Sequence, residues 1–272
     1  MTTAAQVSRV ATAFETAAAE KRAALVGYLP AGYPSVDGAI DALKAMVHAG
    51  VDIVEIGLPY SDPLIDGPVI QEAVHQALVR GVHVTEVLRT VEEVAEAGAA
   101  ALVMTYWNPV VQHGVEAFAR DLASAGGSGL ITPDLPPEEA GAWLEAAREQ
   151  GLDPVFLVAP SSTDERIALI TSVCRGFVYA ASVMGTTGAR TSVGSAAPGL
   201  VAKVRQHTTL PVGVGLGVST GAQAAEVAGF ADGVIVGSAF VKRMLSAPDA
   251  ASGAASVAEL AAELAAGVRQ PR

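Results

Sequence analysis

The chain has 272 residues, 51% of them hydrophobic, and carries 17 Lys+Arg against 28 Asp+Glu for a net charge of −11. That size suits one α/β barrel domain over 1–272 with its core at about 20–245, and the acidic balance argues against nucleic acid as a partner, which would need a basic stripe. The lone cysteine, Cys174, excludes an internal disulfide or thiolate cluster, and the lack of any long apolar run or signal-like start predicts a cytoplasmic protein with no membrane span.

A helical arm is predicted over residues 3–20, followed by the apolar run ALVGYLP from 24 and the amphipathic stretch SVDGAIDALKAMVHAG. The run VDIVEIGLP starts at 51, and a helix with no strand of its own, VTEVLRTVEEVAEAG, spans 84–98. AALVMTY from 99, SGLITPDLP from 128 and DPVFLVAP from 153 alternate with the helical patterns VEAFARDLASAG and PEEAGAWLEAAREQG. GFVYAASV from 176 leads into residues 184–199, a Gly/Ser/Thr-rich segment without apolar period that reads as a long loop. LPVGVGLG from 210, the helical TGAQAAEVAGF, ADGVIVGS from 231 and an Ala-rich helical tail over 254–268 complete the chain. Eight apolar strands alternating with amphipathic helices predict a closed (β/α)8 TIM barrel, with extra helices at the N-terminus, after strand two and at the C-terminus.

Within VDIVEIGLPYSDPLIDGP, strand alternation puts Ile53, Glu55 and Gly57 on one face and Val54, Ile56 and Leu58 on the other. The outer face of a barrel strand lies under apolar helices, so Glu55 is expected to point into the barrel mouth. A carboxylate there has a raised pKa and suits proton exchange near neutral pH; an ion pair with a barrel Arg or Lys is the alternative. Asp66, in PLIDGP, is either turn chemistry or a second carboxylate facing the same cavity, whereas Asp62, in SDP, reads as a turn cap.

The later loops have a different character. Gly188, Gly215 and Gly217, and the pair Gly237 and Ser238, fall where backbone amides and a helix N-terminus can hold a phosphate, which also explains how an acidic protein could bind an anion. Lysines occur only at 21, 44, 203 and 242, away from strand C-terminal ends, which argues against a Schiff base. The five histidines do not cluster, so no metal site is expected. Proton transfer on a phosphorylated small molecule remains.

EIGLPYSDPLIDGP, together with GYLPAGYP, MTYWNP, PDLPPEE, FLVAPSS, YAASVMGTTGAR, PVGVGLGVS and ADGVIVGSAFVK in this order, resembles the tryptophan synthase α family over about residues 20–245. The resemblance implies retro-aldol cleavage of indole-3-glycerol phosphate to indole and glyceraldehyde 3-phosphate. It puts Glu55 at the acid/base position, Asp66 at the carboxylate facing the indole N–H, and Tyr179 beside the catalytic Glu, although a plain barrel-interior aromatic fits Tyr179 equally well. It also implies phosphate binding by Gly188, Gly217, Gly237 and Ser238, an indole pocket of Tyr28, Met104 and Tyr106, and Thr187 in a loop closing over substrate. Tyr28 stands where Phe is frequent in the family, and Val183-Met184 replaces a pair that is partly basic in some relatives.

No cofactor is expected in this chain; the family implies a β subunit carrying pyridoxal phosphate and an α2β2 assembly, and the segments around Tyr60 to Leu64 and Tyr106 to Val110, aromatic, proline-containing and with little charge, suit its docking at the barrel mouth, with Asp62 at that contact. The other readings are a free-standing indole-releasing lyase, another phosphate-binding barrel such as an isomerase or epimerase, and a non-catalytic activator of a partner.

Overall fold

The computed structural model describes residues 8–181, 196–215 and 217–270. The first half of the chain runs α1 (Arg9–Ala19), β1 (Ala24–Pro30), α2 (Val36–His48), β2 (Ile53–Gly57), α3 (Pro68–Val79), α4 (Val84–Glu96), β3 (Ala100–Met104), α5 (Trp107–His113), α6 (Val115–Ser124), β4 (Gly129–Ile131) and α7 (Gly141–Gln150). The second half adds β5 (Asp153–Val155), β6 (Leu157–Val158), α8 (Asp164–Val173), β7 (Val178–Ala181), α9 (Ala196–Val204), β8 (Val212–Gly215), α10 (Gly221–Ala228), β9 (Gly233–Val236), α11 (Ser238–Ser246) and α12 (Ala250–Val268).

All eight apolar runs form strands, and the fifth is interrupted at Phe156 into β5 and β6. The pairing is parallel throughout, in the order β5-β4-β3-β2-β1-β9-β8-β7-β6. Because its two ends are consecutive pieces of one run, the sheet closes on itself as a (β/α)8 barrel. Every residue of β1 and β2 is buried, as expected for strands with side chains on one face and helices on the other.

Two apolar clusters follow from that geometry. The larger joins the outward strand residues, among them Val54, Ile56 and Val103, to the helices; the smaller fills the barrel with Val26, Ile53, Leu102, Ile131, Phe177 and Ile235. The inner cluster includes Val10, Phe14 and Ala17 of α1, residues at helical spacing on one face, so α1 plugs the barrel floor. Burying Phe14 there contributes about 2–3 kcal/mol. Ser8 is the cap of α1: its hydroxyl accepts from the Ala11 amide at 2.9 Å and donates to the carboxylate of Asp153 at the foot of β5. Phe14 stacks on Phe177 at 5.4 Å, and Phe177 lies 6.3 Å from Tyr179, so a column of rings climbs from the floor toward the mouth.

Several boundaries differ from the sequence reading. The expected loop over 184–199 falls largely outside the described residues, but its last four residues belong to α9, whose Pro198 sits in the first turn where a helix tolerates proline. Of the expected N-terminal arm, the helix described is Arg9–Ala19. Strand two is followed by two helices, as the extra helix expected there requires, and Pro68 after Gly67 starts the first of them, α3. The C-terminal helix begins at Ala250, capped by Asp249, whose side chain accepts from the Ser252 amide.

Candidate active site

The strand C-terminal ends surround a cavity of about 590 Å³ whose wall includes Tyr28, Glu55, Asp66, Met104, Tyr179, Gly217, Gly237 and Ser238. Glu55 sits on β2 opposite Tyr28 on β1 and Leu102 on β3, and its inward neighbour Ile53 belongs to the barrel-filling cluster. Glu55 is 1% exposed, and its Oε1 has no hydrogen-bond partner. No ion pair joins it to a Lys or Arg among the described residues, so the carboxyl has no balancing charge. Burial pushes its pKa up to about 8.

Asp66 lies on the loop between β2 and α3. Burial raises its pKa to about 6, and a hydrogen bond from the Tyr106 hydroxyl opposes that rise. At neutral pH the two acids therefore differ in state: Glu55 holds its proton and Asp66 is ionised. Such a split is what a site needs to run acid and charge-stabilising roles side by side.

Two inward tyrosines owe their places to glycines. A Cβ on Gly57 would come within 2.4 Å of the Tyr28 hydroxyl oxygen, and one on Gly215 within 2.7 Å of that of Tyr179. Each ring thus lies over a neighbouring strand that has no side chain to obstruct it. Burial, and then the charges of Asp66 and Glu55, hold the Tyr28 hydroxyl protonated; burial and then Glu55 do so for Tyr179.

At the far side of the mouth, Gly217 adopts φ +71°, a left-handed conformation open to glycine, just beyond β8. Gly237 occupies the N-cap of α11 without any side-chain cap, and Ser238 behind it is buried. First-turn amides and the positive end of the helix dipole can receive an anion there. Thr187 and Gly188 lie outside the described residues.

Tyr106 behaves differently from the expected pocket wall. It is absent from the cavity lining; its hydroxyl accepts from the amides of Leu64 and Ile65, both at 3.0 Å, and its ring lies against Tyr60 at 5.3 Å. Asp62 is exposed, accepts from the Ser61 hydroxyl at 2.5 Å and does not line the cavity.

Sequence reasoning missed Thr132, Asp134 and Phe156, all on the wall. Asp134 accepts from the first amide of α5, that of Trp107, at 2.9 Å, tying the loop after β4 to the loop after β3. A hydroxyl and a carboxylate ending the apolar run LITPDLP were a signal available for two of them. Among the described residues no group of His, Cys, Asp and Glu could hold a metal, and no helix is long and apolar enough to cross a membrane.

A (β/α)8 barrel with two carboxylates of unlike pKa at its mouth, and an uncapped helix N-terminus that could receive an anion on the same cavity wall, has the layout of an enzyme of acid/base chemistry on a phosphorylated substrate. Residues 14–269 match the tryptophan synthase alpha chain family. The tryptophan synthase alpha chain of Acidothermus cellulolyticus is 61% identical over 264 residues, 97% of this chain and 98% of that protein, and that of Salinispora tropica is 59% identical over 97% and 99%. Among solved structures, tryptophan synthase from Mycobacterium tuberculosis superimposes with a TM-score of 0.92 at 54% identity, covering 97% of this chain and all of that one. The α subunit from Legionella pneumophila gives 0.86 at 31% identity. The chain belongs to the tryptophan synthase alpha family.

Proposed function

We propose that Glu55 and Asp66 divide the work of a retro-aldol cleavage at the barrel mouth. As a tryptophan synthase alpha chain, the protein is a lyase of tryptophan biosynthesis that releases indole and glyceraldehyde 3-phosphate from indole-3-glycerol phosphate. The observation that carries the division of roles is the burial of Glu55 as an unpaired acid in one cavity with the more exposed Asp66.

Neutral Glu55 gives its proton to the indole ring carbon that bears the side chain. The positive charge that develops on the ring nitrogen is balanced by the Asp66 carboxylate. Glu55, now a carboxylate, removes the proton from the adjacent side-chain hydroxyl. That O–H pair becomes the aldehyde carbonyl, and the pair of the breaking carbon–carbon bond restores the aromatic ring. Glu55 ends protonated, ready for the next turnover. Tyr28 and Met104 wall the ring, Tyr179 packs beside Glu55, and Gly217, Gly237 and Ser238, with Gly188 and Thr187 from the sequence motif, hold the phosphate end.

The cleavage as written needs no cofactor from this chain. Its partner is a β subunit, in an α2β2 assembly that carries pyridoxal phosphate on β and works in the cytoplasm. Leu64, 70% exposed on the loop after β2 where Asp62 also lies, and Val111, 48% exposed on α5, offer apolar contact beside the mouth. The test is to incubate the pure chain and its E55Q variant with indole-3-glycerol phosphate, with and without a β subunit, and measure indole. Comparable turnover by E55Q removes the acid/base assignment; no rise with β favours a free-standing lyase.

A further inference from the structure

Two helices begin after β8 and β9, and their first turns differ. α11 starts at Gly237 with no side chain capping it. At α10 the chain supplies acceptors of its own. The Thr220 hydroxyl accepts from the Gln223 amide at 3.3 Å, and the Glu263 carboxylate, reaching over from α12, accepts from the Gly221 amide at 2.7 Å. TGAQ, residues 220–223, has the spacing of a capping box, in which the fourth side chain turns back to the amide of the capping residue. Gln223 reaches one residue further. Its Oε1 accepts from the Ser219 amide at 2.8 Å and from the Ser219 hydroxyl at 3.1 Å.

The loop that these bonds hold is the one that carries Gly217. Gly217 lines the cavity at φ +71°, Val218 after it is 2% exposed, and Ser219 is turned to α10 and is not part of the cavity wall. Strand pairing fixes the chain up to Gly215, and beyond it a glycine at a left-handed angle has other angles open to it. A tie on the far side of Gly217 is therefore needed to keep one orientation of the turn. Gln223 is that tie: one oxygen takes both polar groups of Ser219, and Gln223 itself does not reach the cavity. Donors held in place before a ligand arrives bind it without the cost of ordering them.

We infer that Gln223 is a positioning residue for the phosphoryl group of the substrate, acting through Ser219 on the turn at Gly217. The inference rests on the reading of the phosphate end given above. Thr220 and Glu263 complete the arrangement by occupying the Gln223 and Gly221 amides, which leaves the uncapped first turn of α11 to receive the anion. In the sheet, β8 stands three positions from β2, which carries Glu55. The contribution of Gln223 thus goes to affinity for the phosphorylated end and not to the proton transfers.

The experiment uses the full chain as wild type, Q223M, S219A and S219A/Q223M; methionine has nearly the length of glutamine but lacks the oxygen. Calorimetry measures binding of glyceraldehyde 3-phosphate, of unphosphorylated glyceraldehyde and of indole, and cleavage kinetics give KM and kcat. In Q223M, glyceraldehyde 3-phosphate should bind about 10-fold more weakly and KM should rise by a similar factor, with kcat within about 3-fold. Indole should bind within about 2-fold of wild type, which also reports a folded barrel. S219A keeps the amide bond, so its loss should be smaller, and in the double variant the two losses should not add. Equal weakening of indole and glyceraldehyde 3-phosphate would show general loosening and overturn the inference, as would additive losses. If wild type prefers the phosphorylated aldehyde and Q223M keeps that preference in full, the role of Gln223 falls and the phosphate site stands. If wild type binds both aldehydes alike, the phosphate reading and the inference fall together.

Discussion

The Tyr106 hydroxyl donates to the Asp66 carboxylate while accepting from the amides of Leu64 and Ile65, at 3.0 Å each. One phenol thus fixes both the carboxylate and the loop that carries it. The hydrogen bond favours the charged form of Asp66 and opposes the rise caused by burial. In Tyr106→Phe that opposition is gone. The acidic limb of kcat/KM should move to higher pH, with kcat at neutral pH down by about 10-fold; an unmoved limb would mean that the hydroxyl serves the loop alone.

The proposed mechanism uses ionised Asp66 and protonated Glu55, so kcat/KM should be bell-shaped with limbs at about 6 and about 8. Asp66→Asn removes the stabilising charge and should cost about 10²-fold or more in kcat while erasing the acidic limb. A variant that keeps that limb assigns it to another group.

Glu55 also links stability to pH. Its folded pKa, about 8, lies above its ordinary value of 4.5, so the folded chain holds a proton that the unfolded chain has released. Stability contributed by neutral Glu55 is full below about pH 4.5 and is lost as pH rises toward 8. E55Q does not titrate. Its unfolding free energy, and with it its thermal midpoint, should exceed that of wild type by an amount that grows across this window and levels off above it, the free-energy difference reaching about a few kcal/mol. Parallel midpoints across the range would show that Glu55 is solvated.

Gly57→Ala should act through Tyr28. The new methyl meets a buried ring rather than a flexible chain end, so strand or ring must shift, at about 1–3 kcal/mol of stability. Because Tyr28 lines the cavity proposed to hold the indole, KM should rise more than stability alone predicts. Normal KM in a folded G57A variant would detach Tyr28 from substrate binding.

At the proposed partner surface, Leu64→Asp should leave the basal rate of the isolated chain within about 3-fold and sharply reduce activation by a β subunit, since it places charge in an exposed apolar patch. Asp62→Ala should likewise affect activation more than basal rate. Equal losses of both rates would move these residues into the chemistry.

The eight strands were legible because each is a continuous apolar run, buried on both faces and closed by Gly, Pro or a polar residue. The break at Phe156 was hidden for the same reason: DPVFLVAP is apolar on both sides of it. Glu55 was legible as a charge inside such a run. The short α5 in WNPVVQH was not, being seven residues long with an internal proline. Asp66 could not be separated from turn chemistry, nor Tyr106 from a pocket wall, since the bonds that define them join residues about forty positions apart. Thr132 carried a visible signal, a hydroxyl ending an apolar strand, but its missing partner is a tertiary fact.

The helix seated beneath the filled barrel, with Phe14 against Phe177, closes the floor and leaves the site, among the described residues, a doorway at the strand ends. Substrate, both products and solvent must share it, so whatever settles over the strand ends controls arrival and departure together. An uncharged product as small as indole would then leave in whatever direction that covering surface leaves open.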